Sequence, residues 1–98
     1  MAKAYLIVEV DTHDHAAMAD YRTKTPEAIA RFGGKFMVRG GQTETLEGGW
    51  TPSRIVMIEF PSLAKAQEFY RSDYYAPLLK QRLAAGASKA ILAEGVAE

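Results

Sequence analysis

From Ala4 to Val10 the chain alternates, with Leu6, Val8 and Val10 on one side and Tyr5, Ile7 and Glu9 on the other. A period of two marks a strand with two distinct faces. Asp11 to Asp14 form a polar turn whose acids suit the start of a helix. Between His15 and Phe32, the residues Met18, Tyr21, Thr25, Ala28, Ile29 and Phe32 recur at spacings of three and four, one face of a helix. Thr25-Pro26-Glu27 is expected to interrupt it, with Thr25 as a new cap and Pro26 in a first turn. Gly33-Gly34 ends it.

The segment from Lys35 to Phe60 reads as a hairpin. In its first arm Phe36 and Val38 alternate with Met37 and Arg39. In its second, Arg54, Val56, Ile58 and Phe60 alternate with Ile55, Met57 and Glu59. Gly48, Gly49 and Pro52 place the reversal between Glu47 and Ser53, and Gly40-Gly41 predicts a bulge or a close backbone approach in the first arm. Ser62 then caps a second helix with Ala66, Phe69 and Tyr70 as its inner stripe. Pro77 forces a break between Ser72 and Pro77. Leu78, Leu79, Arg82 and Leu83 resume the helical spacing up to Gly86, and Ala90 to Val96 forms a last strand.

Strand, helix, strand, strand, helix, strand is two split βαβ units. That order predicts one α+β domain over residues 1–98, a ferredoxin-like sandwich with both helices on one face of a four-stranded antiparallel sheet. The helices cover only one face. The other, with Tyr5, Ile7, Met37, Ile55 and Met57, is too apolar to stay bare. A second copy is the expected cover, giving a homodimer through the open sheet face with a lumen between the sheets.

The charge balance narrows the functions. Twelve basic and twelve acidic residues give a formal net charge of zero, which argues against nucleic acid as a partner. The second arm offers Ile55, Met57 and Glu59, with no aromatic residue for stacking on RNA. There is no cysteine, which excludes disulfides and thiol catalysis. The opening MAKAYLIVEV lacks the pattern of a signal peptide, and no apolar run approaches a membrane span. A cytoplasmic protein that does not engage a membrane is expected.

Several motifs carry a family likeness. They are the region from Tyr21 to Pro26, Phe32-Gly33-Gly34, Val38 to Gly41, Leu46-Glu47-Gly48, Trp50 to Arg54, Ile58 to Ser62, Ala66 to Tyr70, and Ser72 to Tyr75. In this order the chain resembles domain-of-unknown-function family 1330 of the dimeric α/β-barrel superfamily. The resemblance implies a homodimeric barrel with a small cleft in each subunit, and it brings no established reaction. Related superfamily members include small cofactor-free monooxygenases, lactone isomerases and haem enzymes, and none of their site residues transfers to this chain.

The candidate chemistry starts from Arg39 and Glu59. Counting back from the hairpin tip places them close together on the lumen face, where a charge needs a partner or a ligand. They are expected to form either an ion pair that sets the dimer's register or an arginine that grips a carboxylate or enolate oxygen. Glu47, Trp50 and Arg54 at the hairpin tip form either a solvated turn with Trp50 as a packing lid, or a ligand-binding flap over the lumen mouth with Arg54 and Glu47 reaching the cleft. Tyr21 fits the core stripe. Tyr74 and Tyr75 flank the helix break and are candidates for hydrogen bonding to a ligand or for proton transfer. His13, in Asp11-Thr12-His13-Asp14-His15, is a candidate general base. The spacing of that run matches no metal site, so no metal is expected. Together these readings predict a protein that binds a small anionic or oxygen-bearing organic molecule. It would be a cofactor-free enzyme of monooxygenase or isomerase type, with Arg39, Glu59, Tyr74 and His13 as catalytic candidates. The alternative is a non-catalytic dimerisation or ligand-sensing module.

Overall fold

The computed structural model describes residues 2–97. Its elements are β1 (Ala2–Thr12), α1 (His15–Arg31), β2 (Lys35–Arg39), β3 (Ile55–Phe60), α2 (Leu63–Tyr70), α3 (Ala76–Ala85) and β4 (Gly86–Ala97). The four strands form one antiparallel sheet in the order β2-β3-β1-β4, with β1 and β3 central. This is the expected α+β, ferredoxin-like arrangement.

The alternation in β1 decides which face the helices cover. Ala4, Leu6, Val8 and Val10 are buried, and they form one core with Met18, Ala28, Ile29, Ile58, Phe60, Ala66 and Phe69. Fully burying each large apolar side chain stabilises the fold by about 1.5–3 kcal/mol. Phe69 stacks between Phe60 at 5.2 Å and Tyr75 at 4.4 Å between ring centroids, so α2 is clamped over β3. The Asp14 carboxylate, in the expected polar turn, accepts from the Ala17 N–H, and the expected Ser62 cap accepts from the Lys65 N–H, whereas the cap expected at Thr25 does not form. The helix break is real, and Tyr75 precedes α3 with Pro77 in its first turn. Among the described residues no helix is long and apolar enough to cross a membrane.

Four details differ from the sequence-based expectation. The strand ladder of the hairpin is short, ending where the Gly40 N–H donates to the Ile55 carbonyl. Residues 41–50 are all exposed, because that polar, glycine-rich stretch has no core to reach. The register also differs. Phe36 lies opposite Ile58, but Val38 lies opposite Met57 and Arg39 opposite Val56, because an irregularity sits between Phe36 and Val38. One extra residue there turns every later side chain to the other face. Pro26 does not divide α1, which runs through it. Finally, β4 starts directly at Gly86 and pairs with β1 along its whole length. A side chain at Gly86 would meet the Asp11 carbonyl, so glycine allows that direct exit from α3.

Candidate functional site

A cleft opens between the helices and the sheet, with a cavity volume of about 40 Å³ inside an open space of about 530 Å³ that includes solvent at its mouth. Its floor is the apolar face of the central strands: Leu6, Val8, Val10, Val56 and Ile58. Met18, Phe36 and Phe69 complete the apolar wall. The polar lining is basic or hydroxylic: Arg22, Arg39, Arg54, Arg82, Tyr21, Thr25 and Tyr75. Among the described residues no acid lines it. Among the described residues none of these four arginines is in an ion pair, because every acid found pairing has another partner.

Three of the arginines gather at the β2–β3 side, and local chain geometry places each one. Proline lacks an N–H, so Pro26 leaves the carbonyl four residues earlier, that of Arg22, without its helical donor. The Arg39 Nη2 fills that vacancy, donating to the Arg22 carbonyl at 2.7 Å. The preceding carbonyl, that of Tyr21, accepts from the Thr25 hydroxyl at 2.6 Å. Arg39 also lies over the Phe36 ring at 4.3 Å. The Arg22 Nη2 reaches back to the Thr12 hydroxyl at 3.3 Å.

Arg54 packs its guanidinium against Gly40, where a Cβ would fall 2.0 Å from Nη1 and where φ is +71°. Gly40 thus serves both the positive φ and the close approach. Burial, followed by the charges of Arg22 and Arg39, pushes the Arg54 pKa below its ordinary value. Three cations held together without an acid make a field that a bound anion would relieve.

A second polar group lies deeper. The Tyr21 and Tyr75 hydroxyls are 2.5 Å apart. Tyr75 is 2% exposed, and its phenol is pushed above the usual range, first by burial and then by Tyr21. At neutral pH it is therefore a hydrogen-bonding group and not a base. Arg82, 3% exposed, donates to the Ser88 hydroxyl at 3.0 Å and to the Tyr70 hydroxyl at 3.2 Å.

Of the residues singled out from the sequence, Arg39, Arg54 and Tyr75 come together in this cleft. The expected Arg39–Glu59 pair does not form. The irregularity in β2 sends Arg39 to the helix side, whereas Glu59 stays on the open face between Lys3 and Lys35, each 3.6 Å away. Tyr74 stands outside, its hydroxyl donating to Glu27 at 3.2 Å and its ring under Arg31 at 4.4 Å. His13 is exposed beside Asp11 at 3.6 Å, and Glu47 is exposed in the loop. Trp50 folds over the open sheet face, beside Ile7, Ile55 and Ile91, and its indole N–H donates to Glu9 at 3.3 Å.

Sequence reasoning missed Arg22 and Arg82 as site residues. Two signals pointed to them: Arg22 stands one helical turn before an in-helix proline, and Arg82 stands within an apolar stripe. Among the described residues no cluster of ligands suits a metal ion.

A two-layer ferredoxin-like α+β fold with an arginine-lined cleft under its helices defines the class. The sequence matches the domain of unknown function DUF1330 over residues 3–96, and the chain belongs to that family. Among curated proteins none matches it. The fold is similar to that of RPA0582, a protein of unknown function from Rhodopseudomonas palustris. That match has 22% identity and a TM-score of 0.75, covering 99% of this chain and 85% of the other. It is also similar to SnoaB, a cofactor-independent oxygenase from Streptomyces nogalater. There the identity is 12% and the TM-score 0.68, with 100% and 97% covered.

Proposed function

We propose that the protein is a cytoplasmic homodimer that binds a small organic anion in the cleft of each subunit. The observation that carries this reading is the set of four arginines on a largely apolar cleft, none paired with an acid among the described residues. A guanidinium matches the two oxygens of a carboxylate or enolate, and its charge-assisted bonds are about twice as strong as neutral ones. Arg22, Arg39 and Arg54 hold the anionic group, and the apolar floor takes the hydrocarbon part. The open sheet face, with Tyr5, Ile7, Met57 and the half-covering Trp50, packs on a second copy. There Glu59 and its lysines set the register.

The likeness of fold to a cofactor-independent oxygenase favours a second reading, that the bound anion is also a substrate. In that case the arginines stabilise developing negative charge on oxygen, and Tyr21 and Tyr75 stand where a proton could be shared. Tyr74, Glu59 and His13 lie outside the cleft and take no part in it.

The test is a calorimetric panel of small carboxylic acids beside their neutral amides, at low and high salt. Acids should bind at least tenfold more tightly than amides, salt should weaken them, and Arg54→Gln should remove the difference with the fold intact. Equal binding of acids and amides would end the proposal.

A further inference from the structure

The mouth arginines account for one end of a ligand, and the deeper group calls for another. Arg82 is almost fully buried, yet its bonds run only to neutral hydroxyls, those of Ser88 and Tyr70. Among the described residues its Nε has no acceptor. A buried cation without an anion, carrying an unsatisfied N–H, is costly. A molecule bound in the cleft that Arg82 helps line would reduce that cost.

The tyrosine pair adds a donor. In a hydrogen bond between two phenols one proton is shared, and the accepting phenol keeps its own O–H to give elsewhere. Both Tyr21 and Tyr75 line the same cleft.

The spacing of the two polar groups follows from the sheet. Val10 donates its N–H to the Arg54 carbonyl on one side and lies opposite Ser88 on the other. The backbones of Arg54 and of the Ser88 that Arg82 bonds are therefore two strand steps apart, about 10 Å. Between them the floor is apolar, with Val10, Val8 and Val56, and the Phe36 and Phe69 rings form the walls.

We propose that Tyr21, Tyr75 and Arg82 form a second oxygen-binding subsite, so that the cleft selects a flat, one-ring carboxylic acid bearing a hydroxyl or carbonyl oxygen at its far end. This rests on the anion-binding reading above. The carboxylate lies among Arg22, Arg39 and Arg54, the ring lies on the valine floor, and the distal oxygen meets the phenol pair.

The probes are benzoate, its three hydroxy isomers, and phenol, titrated calorimetrically into wild type, Arg54→Gln, Tyr21→Phe and Tyr75→Phe, with circular dichroism as the check on folding. The phenylalanine variants keep the packing that an Arg82 substitution would endanger. At least one hydroxybenzoate should bind tenfold or more tighter than benzoate, and Tyr21→Phe or Tyr75→Phe should bring the two within twofold. If all hydroxybenzoates match benzoate while both need Arg54, the second subsite is refuted and the anion site stands. If the gain survives in both phenylalanine variants, the subsite is also refuted. If no acid binds, both readings fail.

Discussion

Replacing Pro26 by alanine separates stability from ligand binding, because this residue weakens the helix and positions an arginine. A proline in a helix interior is about 3 kcal/mol less favourable than alanine. In α1 part of that cost is already offset, since the Thr25 hydroxyl serves the Tyr21 carbonyl and Arg39 serves that of Arg22. The Arg39 bond, to a charged donor, contributes about 1.5 kcal/mol. Pro26→Ala should therefore stabilise the fold by about 1–2 kcal/mol, raising the melting temperature by about 5–10 °C for a domain of this size. The restored N–H draws the Arg22 carbonyl back into the helical ladder, and Arg39 loses its anchor. Ordering a freed arginine on binding costs about 1–2 kcal/mol, so affinity for a small acid should fall about five- to thirtyfold. Thermal unfolding and calorimetry on the same sample read both effects. A protein that becomes more stable with unchanged affinity would show that the anchored Arg39 plays no part in binding. A less stable one would refute the account of the freed carbonyl.

Three further outcomes are expected. Gly40→Ala places a side chain on the Arg54 guanidinium and a non-glycine residue at positive φ. It should cost about 1–3 kcal/mol in denaturant unfolding and abolish acid binding, whereas Gly41→Ala, with open space around it, should leave binding unchanged. Because burial raises the Tyr75 phenol's pKa, the folded state keeps a proton that the unfolded chain gives up near pH 10. Its stabilising effect is complete below that pH and is lost as pH rises further, by up to about 1.4 kcal/mol per pH unit. Tyr75→Phe should remove this part of the alkaline slope in unfolding measured from pH 9 to 11. Ile7→Glu puts a charge in the middle of the open sheet face, and light scattering over a dilution series should show the proposed dimer in the wild type and a monomer of unchanged helix content in the variant.

Much of the fold was legible because its signals are local. The alternation in β1, the Ser62 cap and the Pro77 break depend on neighbours within a few residues. The candidate site was less legible because its geometry depends on one residue of register. The irregularity between Phe36 and Val38 moves Arg39 from the open sheet face to the helix face, and Gly40-Gly41, expected to mark a bulge or a close approach, gave no hint of it: at Gly40 it is the close approach of Arg54 that occurs. Pro26 misled in the same way. A proline usually ends a helix, but here a threonine hydroxyl and a distant arginine satisfy the carbonyls at the kink, and sequence spacing carries no trace of the latter. Tyr75 and Arg54 were found for an incomplete reason, as residues near a break and a turn. Arg22 and Arg82 were passed over because an arginine on a helix normally snorkels to water. What sets these two apart is the missing acid, a property of the folded surroundings.

The central claim is that the cleft arginines hold an anion, and the most direct measurement is the side-chain NMR of the arginine Nε–Hε groups during titration with benzoate. Signals of Arg22, Arg39 and Arg54 should shift together and saturate, with those of the outlying Arg31 and Arg71 unmoved. Saturating shifts confined to Arg31 and Arg71, or no saturable shift at any arginine, would contradict the account.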